Sequence, residues 1–285
     1  MQPRYQQIIG YRLTLLCLFY FLTGCTSTLH HPFTEGSALG FSSVMFEAPP
    51  FAFAGQLKTP SHGADALVVY IEGDGRLIAH GAISDNPTPR FPLGWLLARQ
   101  DDAPAVMYLA RLGQYNDAFT GTQYRPYWTE KRFAPEIIQS MNHVLDAAKE
   151  RVAAKRIHLV GFSGGGAVTC LLAADRQDVA SLVTVAGLLD HAFWTKQKKY
   201  EPLTGSLNPA DVTNQLVNIP QLHLYGKNDT VIPPEISQHF LHRANFAHAR
   251  RMEVNADHHS GCEQAWPALL SDQIIPFRNV DQTHQ

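Results

Sequence analysis

Cysteine is scarce in this sequence, with only Cys17, Cys25, Cys170 and Cys262 among 285 residues. No H-E-x-x-H and no grouped Cys/His spacing occurs, so no metal motif is offered. Charge is also thin: Asp, Glu, Lys and Arg make up 17% of the residues, with a formal net charge of −2. That balance argues against nucleic acid as a partner. No internal repeat or low-complexity block interrupts the chain. The apolar run at residues 13–22 is too short to cross a membrane as a helix.

What is present centres on residues 156–172, R-I-H-L-V-G-F-S-G-G-G-A-V-T-C-L-L. Residues 157–161 have the composition of a buried strand, and from Ala167 small and apolar residues recur as in a helix. Between them, Gly161-Phe162-Ser163-Gly164-Gly165 fits G-x-S-x-G. Such a strand-to-helix turn lifts the serine Oγ clear of the sheet, and the following helix points its N–H groups at the same spot. Ser163 is therefore a candidate nucleophile beside an anion site.

Around this element, strands and helices alternate. Residues 44–57 read as an edge strand or hairpin around Pro49-Pro50. Strand signals follow at 66–72, 105–109, 157–162, 181–186, 221–225 and 250–255. Helix signals lie at 92–99, 134–154, after Ser163, at 235–243 and at 262–271. This alternation predicts a mostly parallel twisted sheet with helices on both faces. Residues 191–212, irregular and holding Trp194, form a small insertion where a lid would sit. Cys170 and Cys262 fall on helices that cover opposite faces, which predicts unpaired thiols.

In such sheets ligands bind beyond the carboxyl ends of the strands. One exit is the turn at Ser163. A second, Glu72-Gly73-Asp74-Gly75, lets backbone pass close to a substrate oxygen, so the N–H of Asp74, or that of Gly75, would join that of Gly164 in an oxyanion hole. A third, Y-G-K-N-D-T-V-I-P, places Asp229 one turn past a strand, where a carboxylate holds an imidazole. The fourth, Asn255-Ala256-Asp257-His258-His259, supplies that imidazole. Successive side chains point apart, so one histidine turns inward, and His258 is the expected one. Tyr115, Tyr124, Tyr127 and Trp128 would line a pocket or pack their own loop, and Arg111 is expected in a surface ion pair.

On these residues the chain resembles the α/β-hydrolases, with Ser163, Asp229 and His258 in that family's order of nucleophile, acid and base. E-G-D-G stands where many relatives carry His-Gly. The resemblance implies an α/β-hydrolase fold, an acyl-enzyme on Ser163, no cofactor and no metal. It implies a small acyl ester as substrate, with two alternatives: an amidase or peptidase of the same fold, or a non-catalytic envelope-binding lipoprotein on a hydrolase scaffold.

The amino terminus carries Arg4 and Arg12, the apolar run, and then Leu22-Thr23-Gly24-Cys25, which resembles the bacterial lipobox. That resemblance implies a signal peptide over residues 1–24, lipid on Cys25 holding the protein to a membrane, a tether over 25–43 and a hydrolase domain over 44–285. Localisation would be the cell envelope, and in a Gram-negative cell the outer membrane facing the periplasm, since Thr26 replaces the aspartate that favours inner-membrane retention.

Overall fold

The computed structural model describes residues 31–279. Eight strands form one sheet: β1 (Ser42–Ala48), β2 (Phe51–Lys58), β3 (Ala66–Ile71), β4 (Val106–Leu109), β5 (Arg156–Phe162), β6 (Val179–Val185), β7 (Gln221–Gly226) and β8 (Ala249–Val254). Their spatial order is β1-β2-β4-β3-β5-β6-β7-β8. The pairs β1–β2 and β2–β4 are antiparallel and the rest parallel.

The central strands are continuous apolar runs because each face of the sheet is buried. In β3, Leu67, Val69 and Ile71 enter one core while Val68 and Tyr70 enter the other. The helices divide accordingly. α1 (Leu93–Ala98) and α6 (Cys262–Leu269) cover one face, whereas α2 (Pro135–Arg151), α3 (Gly164–Ala174) and α5 (Glu235–Leu241) cover the opposite one. In α2, Ile137, Ile138, Met141, Val144, Leu145 and Ala148 form the buried stripe that the helical period predicts. Cys170 and Cys262 lie in the two separate cores and are both free, as the topology requires.

Three expectations change. The tether was expected to run to residue 43, yet Pro32–Glu35 makes a helical turn against the domain. Glu35 bonds Trp95 Nε1 and Arg99, and Phe33 packs on Tyr115. The expected irregular insertion begins with a regular helix, α4 (His191–Lys198), N-capped by Asp190. It is fastened where Trp194 Nε1 donates to the Val231 carbonyl and Ser206 Oγ to that of Glu130. Arg111 is buried rather than on the surface. Cys25 and the expected leader lie outside the described residues. Among those described, no helix is long and apolar enough to cross a membrane.

Candidate active site

Ser163 sits between β5 and α3 with φ 52° and ψ −119°, a backbone conformation that side chains rarely adopt. The turn is held by Ser163 N–H to the Val185 carbonyl at 2.9 Å, and by Leu188 N–H to the Ser163 carbonyl at 3.0 Å. Glycine is obligatory on both sides. A Cβ on Gly161 would strike the Gly165 carbonyl, and one on Gly165 would strike the carbonyl of Ile71 in β3.

The exits of β7 and β8 bring Asp229 and His258, the expected acid and base, to this turn. His258 Nε2 lies 3.0 Å from Ser163 Oγ, and His258 Nδ1 lies 2.8 Å from Asp229 Oδ2. Asp229 Oδ1 accepts the N–H groups of Val231 and Ile232, both at 2.8 Å, which fixes the carboxylate. With Nδ1–H donating to Asp229, Nε2 is left to accept the serine proton. All three side chains are shielded: Ser163 is 9% exposed, His258 6% and Asp229 3%. Phe162 covers the imidazole at 5.2 Å. His259 is exposed at the rim, edge-on to His258, and its N–H donates to Asp257 Oδ1.

On the other side of Ser163 stands Glu72-Gly73-Asp74-Gly75. The Asp74 carboxylate lies so close to Gly164 that a Cβ there would collide with it, so the two expected N–H donors belong to neighbouring residues. The N–H of Gly73 is already committed to Glu72 Oε1 at 2.9 Å. Two guanidiniums hold the loop: Arg111 at 3.1 Å from Asp74 Oδ1 and Arg132 at 2.8 Å from Oδ2. Arg111 also donates to the Arg132 carbonyl, and Gln114 Nε2 donates to the Gly73 carbonyl at 2.9 Å. Glu72 is buried behind the loop, where Tyr108 Oη and the N–H of Gly94 donate to it. Burial pushes its carboxyl up to about 7, and these hydrogen bonds oppose the rise.

Sequence reading missed Arg132 and the burial of Arg111 because their partner is distant in the chain. Only placement of the strand exits brings them together. A cavity of about 330 Å³ opens in front of Ser163. Its walls include Phe162, Leu188, Trp194 and Ile232, with Phe91 and His259 at the mouth. Trp194 thus brings the fastened insertion to the site. Tyr115, Tyr124, Tyr127 and Trp128 do not line this cavity: Tyr124 packs within its own segment against Phe119, while the others join that segment to the rest of the domain, Tyr127 against Phe51 of β2, Tyr115 against Phe33, and Trp128 Nε1 donating to the Ser84 carbonyl at 3.0 Å. Among the described residues no group of His, Cys, Asp and Glu could hold a metal ion.

Comparison with known proteins bears on the family and the fold. The profile of the serine hydrolase (FSH1) family matches residues 97–260. No curated protein matches the sequence significantly. Among solved structures, a puromycin hydrolase superposes with a TM-score of 0.63 at 18% identity, over 85% of this chain and 39% of its own. An esterase of Pyrococcus furiosus gives 0.60 at 14% identity, over 85% of this chain and 91% of its own. Est1E from Butyrivibrio proteoclasticus gives 0.59 at 12% identity, over 82% and 98%. The chain spans about two fifths of the puromycin hydrolase. At such identities the likeness is one of fold, and that fold is the α/β-hydrolase fold.

Proposed function

The chain belongs to the serine hydrolase (FSH1) family, and on that premise we propose that it cleaves a small carboxylic ester through an acyl-enzyme on Ser163. One observation carries the reading: a single imidazole bridges Ser163 Oγ and a fixed, buried Asp229 at a turn whose backbone presents the serine. His258 Nε2 takes the proton as Oγ bonds the substrate carbonyl carbon. Asp229 stabilises the imidazolium so formed. The N–H groups of Gly164 and Asp74 receive the developing oxyanion. The proton on His258 then goes to the departing alkoxide as the C–O bond breaks, and water repeats the sequence to release the acid. None of these steps calls for a cofactor.

An ester fits because its alkoxide leaves readily and a cavity of this size takes a small acyl group. The lipobox at Leu22-Thr23-Gly24-Cys25 supports an envelope location with lipid on Cys25. The test is a panel of p-nitrophenyl esters and matching anilides given to wild type and Ser163→Ala. Ester turnover is expected, lowered roughly 10⁴-fold or more by the substitution. Turnover of anilides alone would replace the ester by an amide. A wild type that cleaves neither and carries no fluorophosphonate label would favour a binding lipoprotein.

A further inference from the structure

The catalytic cavity is lined by more positive charge than its carboxylates use. Arg76, Arg90 and Arg132 face it together with Glu72 and Asp74. Asp74 is spent on Arg111 and Arg132, and Glu72 on backbone N–H groups and Tyr108. Glu72 is moreover partly protonated near neutral pH, because burial lifts its carboxyl to about 7. Arg76 and Arg90 have no ion-pair partner among the described residues. The Nε of Arg76 is shut off from solvent without an acceptor. A shielded guanidinium N–H with nothing to donate to is costly, unless a ligand completes it.

The two arginines also come from neighbouring segments. The N–H of Arg76 donates to the Pro87 carbonyl at 2.9 Å, tying the start of the exit loop after β3 to the stretch that ends in Arg90. A positive mouth on a chain of net charge −2 concentrates anions at that place. Guanidinium forks match carboxylate and phosphate oxygens. The same cavity also has apolar wall, to which Leu77, Phe91 and Trp194 contribute.

We propose that Arg76 and Arg90 form an anion subsite at the mouth of the cavity, so that the substrate is an ester bearing a carboxylate or phosphate separated by an apolar spacer from the scissile carbonyl. This deepens the reading of the site as an ester hydrolase and rests on it. The anion docks at the arginines and the spacer crosses the apolar wall.

Two matched pairs test it. Mono-p-nitrophenyl glutarate is compared with p-nitrophenyl hexanoate, placing the anion on the acyl side, and p-carboxyphenyl acetate with p-tolyl acetate, placing it on the leaving group. In at least one pair the charged member is expected to show a kcat/KM roughly tenfold to a hundredfold higher, carried mainly by KM. That advantage should shrink on adding salt. In the Arg76→Gln/Arg90→Gln double variant, checked for folding by circular dichroism, the charged-to-neutral ratio should fall towards one, with the single variants between. Equal rates within both pairs, or a preference that survives the double variant, overturns the subsite while leaving the ester hydrolase standing. No cleavage of any ester, together with no fluorophosphonate label, overturns both.

Discussion

Two aspartates held by arginine, Asp74 partly buried and Asp101 buried, occupy different parts of the sheet. Asp74 lies at the carboxyl end of β3, bonded to Arg111 and Arg132 and pressed against Gly164. Asp101 lies ahead of the amino end of β4, where it takes Tyr70 Oη at 2.6 Å and Arg278 Nη1 at 2.7 Å. The chemistry of the two clusters is alike, but what each holds differs. The first fixes a loop beside the nucleophile, whereas the second pins the last helical turn, Ile275–Asn279, to the face that carries α1 and α6. A buried ion pair is weak evidence of net stability, although breaking one leaves an expensive lone charge. What the pairs determine is position, and position matters for turnover only next to Ser163.

The division is tested most strongly where an entire function hangs on one side chain. His258→Ala should lower ester turnover on the order of 10⁴-fold or more with an unchanged melting temperature, while His259→Ala, at the rim, stays within a few-fold of wild type. A reversal in initial-rate assays would move the base to His259. The aspartates come next. Asp101→Ala leaves Arg278 buried and unpaired and should cost about 3–5 kcal/mol in urea unfolding, with kcat of the remaining folded enzyme intact. Asp74→Ala should also destabilise, and in addition cut kcat on the order of 10²-fold, because the loop carrying an oxyanion donor loses its anchors. Equal kcat in the two variants would erase the distinction.

The smallest effects are in pH dependence. The carboxyl of Glu72 is raised by burial from 4.5 to about 7, so the folded state holds its proton more tightly and stability falls as pH rises through that window. His158, near Asp101, is lowered by burial from 6.5 to about 4, so stability falls as pH drops through that range. Glu72→Gln and His158→Gln should each remove one slope, of opposite sign, from stability measured between pH 4 and pH 7.

Much of the fold was legible because its signals are local. Residues 157–162 and 66–72 read as buried strands from composition alone, and G-F-S-G-G as a tight turn. The strand exits and the resemblance to the α/β-hydrolases pointed to Ser163, Asp229 and His258, and the structure brings His258 within hydrogen-bond distance of the other two. The anchors of Asp74 were not legible, since Arg111 and Arg132 lie 37 and 58 residues away, and their meeting depends on topology. Helix α4 has a local cap, Asp190 accepting the Phe193 N–H, but no apolar helical period follows it, and its tethers reach to Asn208 and Val231. Arg76 and Arg90 carry no motif at all; their place at the cavity mouth comes from how the exit loop after β3 folds back through Pro87.

The central claim is that Ser163 attacks because His258 and Asp229 prepare it. Fluorophosphonate labelling followed by peptide mass spectrometry reads this directly, since the probe bonds only an activated serine Oγ. A single adduct on the peptide containing Ser163 is the predicted result, absent in Ser163→Ala and formed far more slowly in His258→Ala. An adduct on another serine, or labelling of Ser163 at an undiminished rate without His258, would contradict it.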